Sequence, residues 1–247
     1  MAAVKIGTAG WTIPRQYAHR FPSEGSSLER YATRFPVAEI NSSFHRPHRL
    51  ATWERWRDSV PQSFRFSAKL PKQITHQRKL IDCDEALDGF AEQVGVLGEK
   101  LAIVLVQLPP KLTFDQIVVR SFFKRLRSIC SARIACEPRN RSWFAPAADD
   151  VLKELQVARV AADPAICAEA AVPGGWGELS YWRLHGSPVV YRSSYADRIA
   201  HYADRLRRAA EAAEAWCIFD NTASSAAVGD ALELMNATEG GSGPLRR

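Results

Sequence analysis

Short apolar segments recur along this chain, and they end again and again in a charged or amide side chain. In Phe-Pro-Val-Ala-Glu-Ile-Asn, Glu39 and Asn41 share one face while Ala38 and Ile40 take the other. In Phe-Arg-Phe-Ser-Ala-Lys, Lys69 aligns with Ser67 and Arg65, opposite Phe64, Phe66 and Ala68. In Tyr-Trp-Arg-Leu-His-Gly, Arg183 and His185 lie opposite Trp182 and Leu184. A side-chain period of two belongs to β-strands. Repeated strands of this plan, each polar at its end, build a ring with a polar, convergent mouth.

Eight strand segments can be read, over Val4–Trp11, Phe35–Phe44, Phe64–Leu70, Leu101–Leu108, Arg133–Glu137, Arg159–Asp163, Leu179–Gly186 and Ala215–Asn221. Helix-period segments fill most gaps. Ser26 and Glu29 form a capping-box pattern before a first helix through Tyr31. Further helices are expected over Thr52–Asp58, Asp84–Gly98, Phe114–Cys130, Ala147–Val157, Asp197–Ala215 and Ala223–Met235. The sixth unit, Pro164–Glu178, holds Pro-Gly-Gly-Trp-Gly and no long helical stretch, so one helix is expected to be missing or irregular.

Eight strands alternating with helices predict an α/β fold, a TIM-type (β/α)8 barrel. An open doubly wound sheet is the alternative, but no G-x-G-x-x-G turn follows the first strand. Such a sheet would also gather polar residues at one switch point rather than at nearly every strand. The 247 residues are expected to form a single barrel domain over 1–238 with a flexible tail over 239–247.

Net charge is +6 but contains no long block of like charge, which favours a solvated surface over a nucleic-acid track. The five cysteines are odd in number and form no C-x-x-C pair, and the N-terminus lacks a signal-like apolar region. No apolar run approaches the ~18 residues that span a bilayer. A reducing cytoplasm and no membrane association are the expectation.

The candidate site residues at the strand ends are Trp11, Glu39, Asn41, Lys69, Gln107, Glu137, Arg139, Asp163, Arg183, His185, Asp220 and Asn221. Glu137 leads as a catalytic base, with Arg139 two residues on to keep it ionised; a structural ion pair is the alternative. His185 is a proton-transfer candidate and Arg183 an anion clamp. Asp163 precedes Pro164 and could equally fix a turn. Lys69 is a third catalytic candidate beside Glu137 and His185 and, with His76 seven residues later, could bind an anionic group. A Schiff-base role for Lys69 is disfavoured, because neighbouring carboxylates would make it a salt-bridged ammonium.

No cofactor is expected. Glu137, Asp163, His185 and Asp220 could hold a divalent metal, but Lys69, Arg139 and Arg183 compete for the same carboxylates. The chain has no H-E-x-x-H, G-x-S-x-G or P-loop pattern. Trp53 and Trp56 with Arg55 and Arg57 could stack bases, but helical spacing favours packing on the barrel wall. Trp11 and Trp143 are the better ligand-lining candidates.

Ile-Gly-Thr-Ala-Gly-Trp, Ala-Glu-Ile-Asn-Ser-Ser-Phe-His-Arg, Phe-Arg-Phe-Ser-Ala-Lys-Leu-Pro-Lys-Gln-Ile-Thr-His, Val-Gln-Leu-Pro-Pro, Glu-Pro-Arg-Asn-Arg-Ser-Trp and Tyr-Trp-Arg-Leu-His-Gly together resemble the YecE-like family. This is the bacterial and archaeal domain of unknown function numbered seventy-two. The resemblance runs from about Val4 to Leu234 and implies a TIM-type barrel. It also implies Glu39, Asn41, Lys69, His76, Gln107, Glu137, Arg139, Trp143, Arg183 and His185 as family-type positions, without implying an activity. This chain departs from the family pattern at Pro138, where an aromatic residue is usual. It departs again at Asp220-Asn221, where paired asparagines are usual.

Two functions follow as expectations. One is an enzyme acting on a small polar or anionic molecule, phosphorylated molecules included, by acid/base chemistry at the barrel mouth (a hydrolase, lyase or isomerase). The other is a non-catalytic nucleic-acid- or ligand-binding protein. Oligomeric state is not legible.

Overall fold

The computed structural model describes residues 4–239. Ten strands form one sheet: β1 (Lys5–Ala9), β2 (Val37–Ile40), β3 (Arg65–Lys69), β4 (Leu101–Gln107), β5 (Arg133–Glu137), β6 (Val157–Arg159), β7 (Ala161–Asp163), β8 (Gly174–Gly175), β9 (Leu179–Leu184) and β10 (Glu214–Phe219). Parallel pairing runs from β10 through β1, β2, β3, β4 and β5 to β6, and from β7 through β9 back to β10. Because β6 and β7 are one stretch of chain interrupted at Val160, the sheet closes on itself. The result is a TIM-type barrel with eight strand positions.

Seven helices surround it: α1 (Ser27–Ala32), α2 (Leu50–Asp58), α3 (Asp84–Gly95), α4 (Gln116–Ile129), α5 (Pro146–Glu154), α6 (Ile199–Ala212) and α7 (Ala227–Glu239). Local chemistry sets their starts. The Ser26–Glu29 capping box opens α1, Asp115 accepts from Ile117 and Val118 to cap α4, and Pro146 occupies the first turn of α5. Glu239 ends α7 rather than beginning a tail, and the rest of the expected tail, 240–247, lies outside the described residues.

The sixth helix is missing, as the glycine-rich segment implies. In its place β8 folds back antiparallel onto β6, pairing Gly175 with Ala158. The fit demands glycine: a Cβ on Gly175, at φ +64°, would sit 2.4 Å from the Val157 carbonyl oxygen. Two layers of apolar side chains hold the barrel. Outward-facing residues such as Phe66, Val104, Ile134 and Phe219 pack under the helices. Val37, Ile103, Leu105, Ala135, Ala158, Val160, Tyr181, Trp216 and Ile218 fill the lumen.

A polar plug closes the lumen at the strand N-termini. Glu214 accepts hydrogen bonds from Arg133 (3.0 and 3.1 Å) and Trp216 (2.6 Å) and pairs with Lys5 at 2.8 Å. Burial opposes its ionisation, but these donors hold the carboxyl down at about 2. With that end sealed, the C-terminal ends of the strands are the open face.

Candidate active site

The lumen alternation carries straight into the mouth. Residues that continue the inward set, two beyond a lumen residue, are Glu39 after Val37, Glu137 after Ala135, Gln107 after Leu105, Arg183 after Tyr181 and Asp220 after Ile218. Lys69 follows Ser67 in the same way, and His185 follows Arg183.

Arg183 is the hub. It is wholly buried (0% exposed), and four of its five N–H groups donate to carboxylates. Its Nε and Nη2 clamp Glu39 at 3.0 and 2.7 Å, Nη1 reaches Glu137 at 2.6 Å, and Nη2 also reaches Asp220 at 3.0 Å. Tyr181 donates its hydroxyl to Glu39 and lies within hydrogen-bond distance of Ser67, each at 3.0 Å. The arginine, expected as an anion or carboxylate clamp, is engaged by three carboxylates of the protein itself.

Glu137 is as fully occupied. Its Oε1 accepts from Arg139 Nε and Nη2 (3.1 and 2.9 Å) and lies 2.9 Å from His185 Nε2. Its Oε2 accepts from Arg183 and, at 3.1 Å, from Gln107 Nε2. Burial would push this carboxyl up, but Arg183, then His185 and Arg139, hold it well below the usual carboxylate range.

His185 bridges two carboxylates, with Nδ1 3.0 Å from Asp220 and Nε2 2.9 Å from Glu137. Each ring nitrogen faces a carboxylate, an arrangement that favours the protonated, positively charged ring, while Nε2 also lies 3.3 Å from Arg139 Nη2. Burial disfavours that charge; Glu137 and the hydrogen bonds to both carboxylates outweigh it and raise the pKa above 6.5. Asp220 is lowered despite burial, chiefly by Arg183 and His185.

Lys69 overturns its expectation. Although only 5% exposed, it has no ion pair or hydrogen bond from Nζ among the described residues; the ammonium sits 4.1 Å from the centroid of the Phe44 ring. The carboxylates that were to hold it are taken by the two arginines and the histidine. Burial, reinforced by Arg183, lowers its pKa from 10.5 to about 8 against the opposing pull of Glu39, Glu137 and Asp220. Below that value the charged amine costs on the order of 3 kcal/mol relative to water. Lys69→Met is accordingly expected to raise the melting temperature by several degrees at pH 7, and a fall measured by circular dichroism would mean that the amine has a stabilising partner.

Other candidates fall outside this cluster. Asp163 is one residue off the inward set; it accepts from Arg198 at 2.9 Å and from Tyr202 on the outer wall. Asn221, likewise one off, donates to Asp230 at 2.6 Å under the helix layer. Trp143 is fully enclosed, donating to the Leu112 carbonyl and packing edge-on to Phe114. Trp11 packs against Trp56 of α2 with ring centroids 5.1 Å apart.

Asn41 leaves β2 in a helical conformation that breaks the alternation, and its Oδ1 is buried without a hydrogen-bond partner. His76 rides on a single π turn, Gln73–Gln77, bonded to Thr75 and edge-on to Phe44. Burial and the nearby Lys69 and Arg139 lower its pKa. Trp53 and Trp56 pack edge-to-face on one another and on His48 at the barrel wall, and Trp53 is fully buried, so its ring offers no face to a base.

Sequence reasoning missed Tyr181, although the alternation two residues before Arg183 pointed to it. It also missed Phe44, which follows β2 in a short 3-10 turn where no period of two applies. Among the described residues, no group of three or more His, Cys, Asp or Glu side chains is arranged to hold a metal ion. Arginine and imidazolium protons occupy the carboxylate oxygens a metal would need. No helix of the described residues is long and apolar enough to cross a membrane.

Beside the cluster lies a cavity of about 150 Å³. Glu137, Arg139 and His185 form its polar side; Pro138, Pro164 and Ile166, with Ala170 and Val190, form an apolar wall. Arg139 is 27% exposed at its side chain, and its Nη1 has no hydrogen-bond partner among the described residues.

The family model described as "Protein of unknown function DUF72" matches residues 5–245. The chain belongs to the DUF72 family. UPF0759 protein YunF of Bacillus subtilis is 30% identical over 149 residues, 58% of this chain and 53% of YunF. UPF0759 protein YecE of Escherichia coli K12 is 29% identical over 106 residues, 43% of this chain and 38% of YecE. The matched stretch thus spans about half of YunF and less of YecE. A crystal structure of a DUF72 family protein from Enterococcus faecalis V583 superposes with TM-score 0.80 at 21% identity, covering 96% of each chain. That likeness concerns the fold.

Proposed function

We propose that this DUF72 protein is an enzyme acting on a small organic anion at the barrel mouth. The observation that carries the reading is the cavity beside Arg139, which combines a guanidinium edge without a partner and an apolar wall. Charge supports it. Arg139, Arg183, Lys69 and His185 stand beside Glu39, Glu137 and Asp220, and Arg139 Nη1, without a partner among the described residues, is free to meet a further negative charge. The substrate's anionic group sits on Arg139 Nη1, and its apolar part lies against Pro164, Ile166 and Val190.

Roles within the site follow from which atoms are already engaged. Glu137 and His185 are too tightly paired to exchange protons directly with a substrate; they hold Arg139 and Arg183 in place. Lys69, unpaired and with its pKa lowered to about 8, is the proton-exchanging group. Apart from the cation, the wall sets specificity, since each methylene buried there contributes about 0.8 kcal/mol.

Calorimetric titration with a series of short carboxylates, acetate to hexanoate, tests the binding half of this reading. Affinity is expected to rise with chain length and to fall about 10- to 100-fold in Arg139→Met, the range for a charged hydrogen bond. Affinity independent of both chain length and Arg139 would remove the reading.

A further inference from the structure

Resting on that reading of the mouth, we infer that Lys69 is a covalent nucleophile and that the substrate is an organic anion bearing an aldehyde or ketone carbonyl. Three observations converge on the amine. The side chain is 5% exposed, so its stem is fixed by packing rather than free to move. Nζ has no hydrogen bond or ion pair among the described residues and meets only the face of Phe44, 4.1 Å from its centroid. Each carboxylate oxygen pair in the mouth is already engaged: Glu39 by Arg183 and Tyr181, Glu137 by Arg139, Arg183, Gln107 and His185, Asp220 by Arg183 and His185.

Lys100 shows the contrast within the same chain. It is also buried, but its Nζ donates to the carbonyls of Arg57 and Val60 at 2.6 and 2.7 Å, which ties up the amine. Lys69 has only the face of Phe44. A fold that encloses a lysine and withholds acceptors from it keeps a population of neutral amine, with its lone pair available at neutral pH. The nearby Arg183 adds to this by disfavouring a further positive charge.

The step balances without any redox partner. The neutral amine gives its lone pair to the carbonyl carbon and forms a C–N bond while the C=O π pair moves to oxygen. That oxygen takes up two protons, one from the nitrogen and one from solvent, and leaves as water, giving the C=N bond of a protonated imine. Arg139 holds the anionic group and so aligns the carbonyl. A neutral carbonyl compound lacks that hold.

Reductive trapping tests the inference. The full-length chain is incubated at pH 7 with pyruvate and cyanoborohydride, and adducts are counted by intact mass and located by peptide mapping. One adduct per chain is expected on Lys69, formed at least about tenfold faster than on the exposed Lys72, Lys79, Lys111 and Lys124. It should be absent from Lys69→Met, slower in Arg139→Met, and slower with hydroxyacetone than with pyruvate. Labelling of Lys69 no faster than of the exposed lysines overturns the inference. Acetate titration of the same preparation separates the two claims. Arg139-dependent acetate binding without a Lys69 adduct removes the covalent step alone, and loss of both removes the reading of the mouth as well.

Discussion

Arg183→Met is expected to prevent stable folding. The substitution fills much of the same volume but leaves Glu39, Glu137 and Asp220 facing one another with His185, Arg139 and the unpaired Lys69 to offset them. Stranding a buried charge by removing its partner costs about 3–5 kcal/mol, and here three carboxylates lose one partner together. Typical domains have only about 5–15 kcal/mol in hand. Arg183→Lys should fare little better, because one ammonium cannot reproduce the bidentate hold on Glu39 while reaching Glu137 and Asp220. Thermal and urea unfolding followed by circular dichroism measure this. Adding Glu39→Gln and Asp220→Asn to Arg183→Met should restore much of the loss, because the penalty arises from uncompensated charge. A single mutant that melts within a few degrees of the parent would show that the carboxylates are neutralised in some other way.

Stability should fall on both sides of a mildly acidic optimum, and the same cluster is responsible for both limbs. Glu137 and Asp220 have folded pKa values below their ordinary ones. Their contribution is complete above the unfolded carboxylate range, near 4, and disappears as pH falls through the lower folded values. His185 acts in the opposite sense, since its folded pKa is raised. Its contribution is complete below 6.5 and is lost as pH rises through the folded value. Lys69 limits the alkaline loss, because the cost of its buried charge is relieved as pH climbs from about 8 toward 10.5. Melting temperature measured across pH 3–10 should therefore drop steeply in acid and more gently above neutrality. His185→Gln should flatten the limb between neutrality and pH 8. An alkaline limb unchanged in that variant would place the titrating group elsewhere.

Several features of the fold were legible before any coordinates. Glu39, Glu137, Arg183 and Asp220 sit where a period of two, counted back into the lumen, puts them. The Ser26–Glu29 box and the glycine run at 173–177 marked a helix start and a missing helix because each requires particular residue types locally. The same rule explains the misplacements. Asp163 and Asn221 were chosen for lying at strand ends, but each is one residue out of phase, and one residue turns a strand side chain to the other face. Trp143 lies in a 3-10 turn, where neither strand nor helix periodicity says which way a ring points.

The role of Lys69 could not be read in this way. Its expected salt bridge was inferred from the number of carboxylates, whereas the structure shows that partners are assigned by geometry: one arginine, 114 positions away, takes the acceptors first.

Sequence by itself determined the alternation, and hence which side chains point into the ring and at which end they gather, because strand pleating is a local property of the backbone. Only the closed barrel decided who pairs with whom. Its stagger brings positions 39, 137, 183 and 220 around one guanidinium and leaves the amine at position 69 with an aromatic face. Pairing among buried charges depends on ångström-scale distances between strands remote in sequence, and no pattern within a single strand contains those distances.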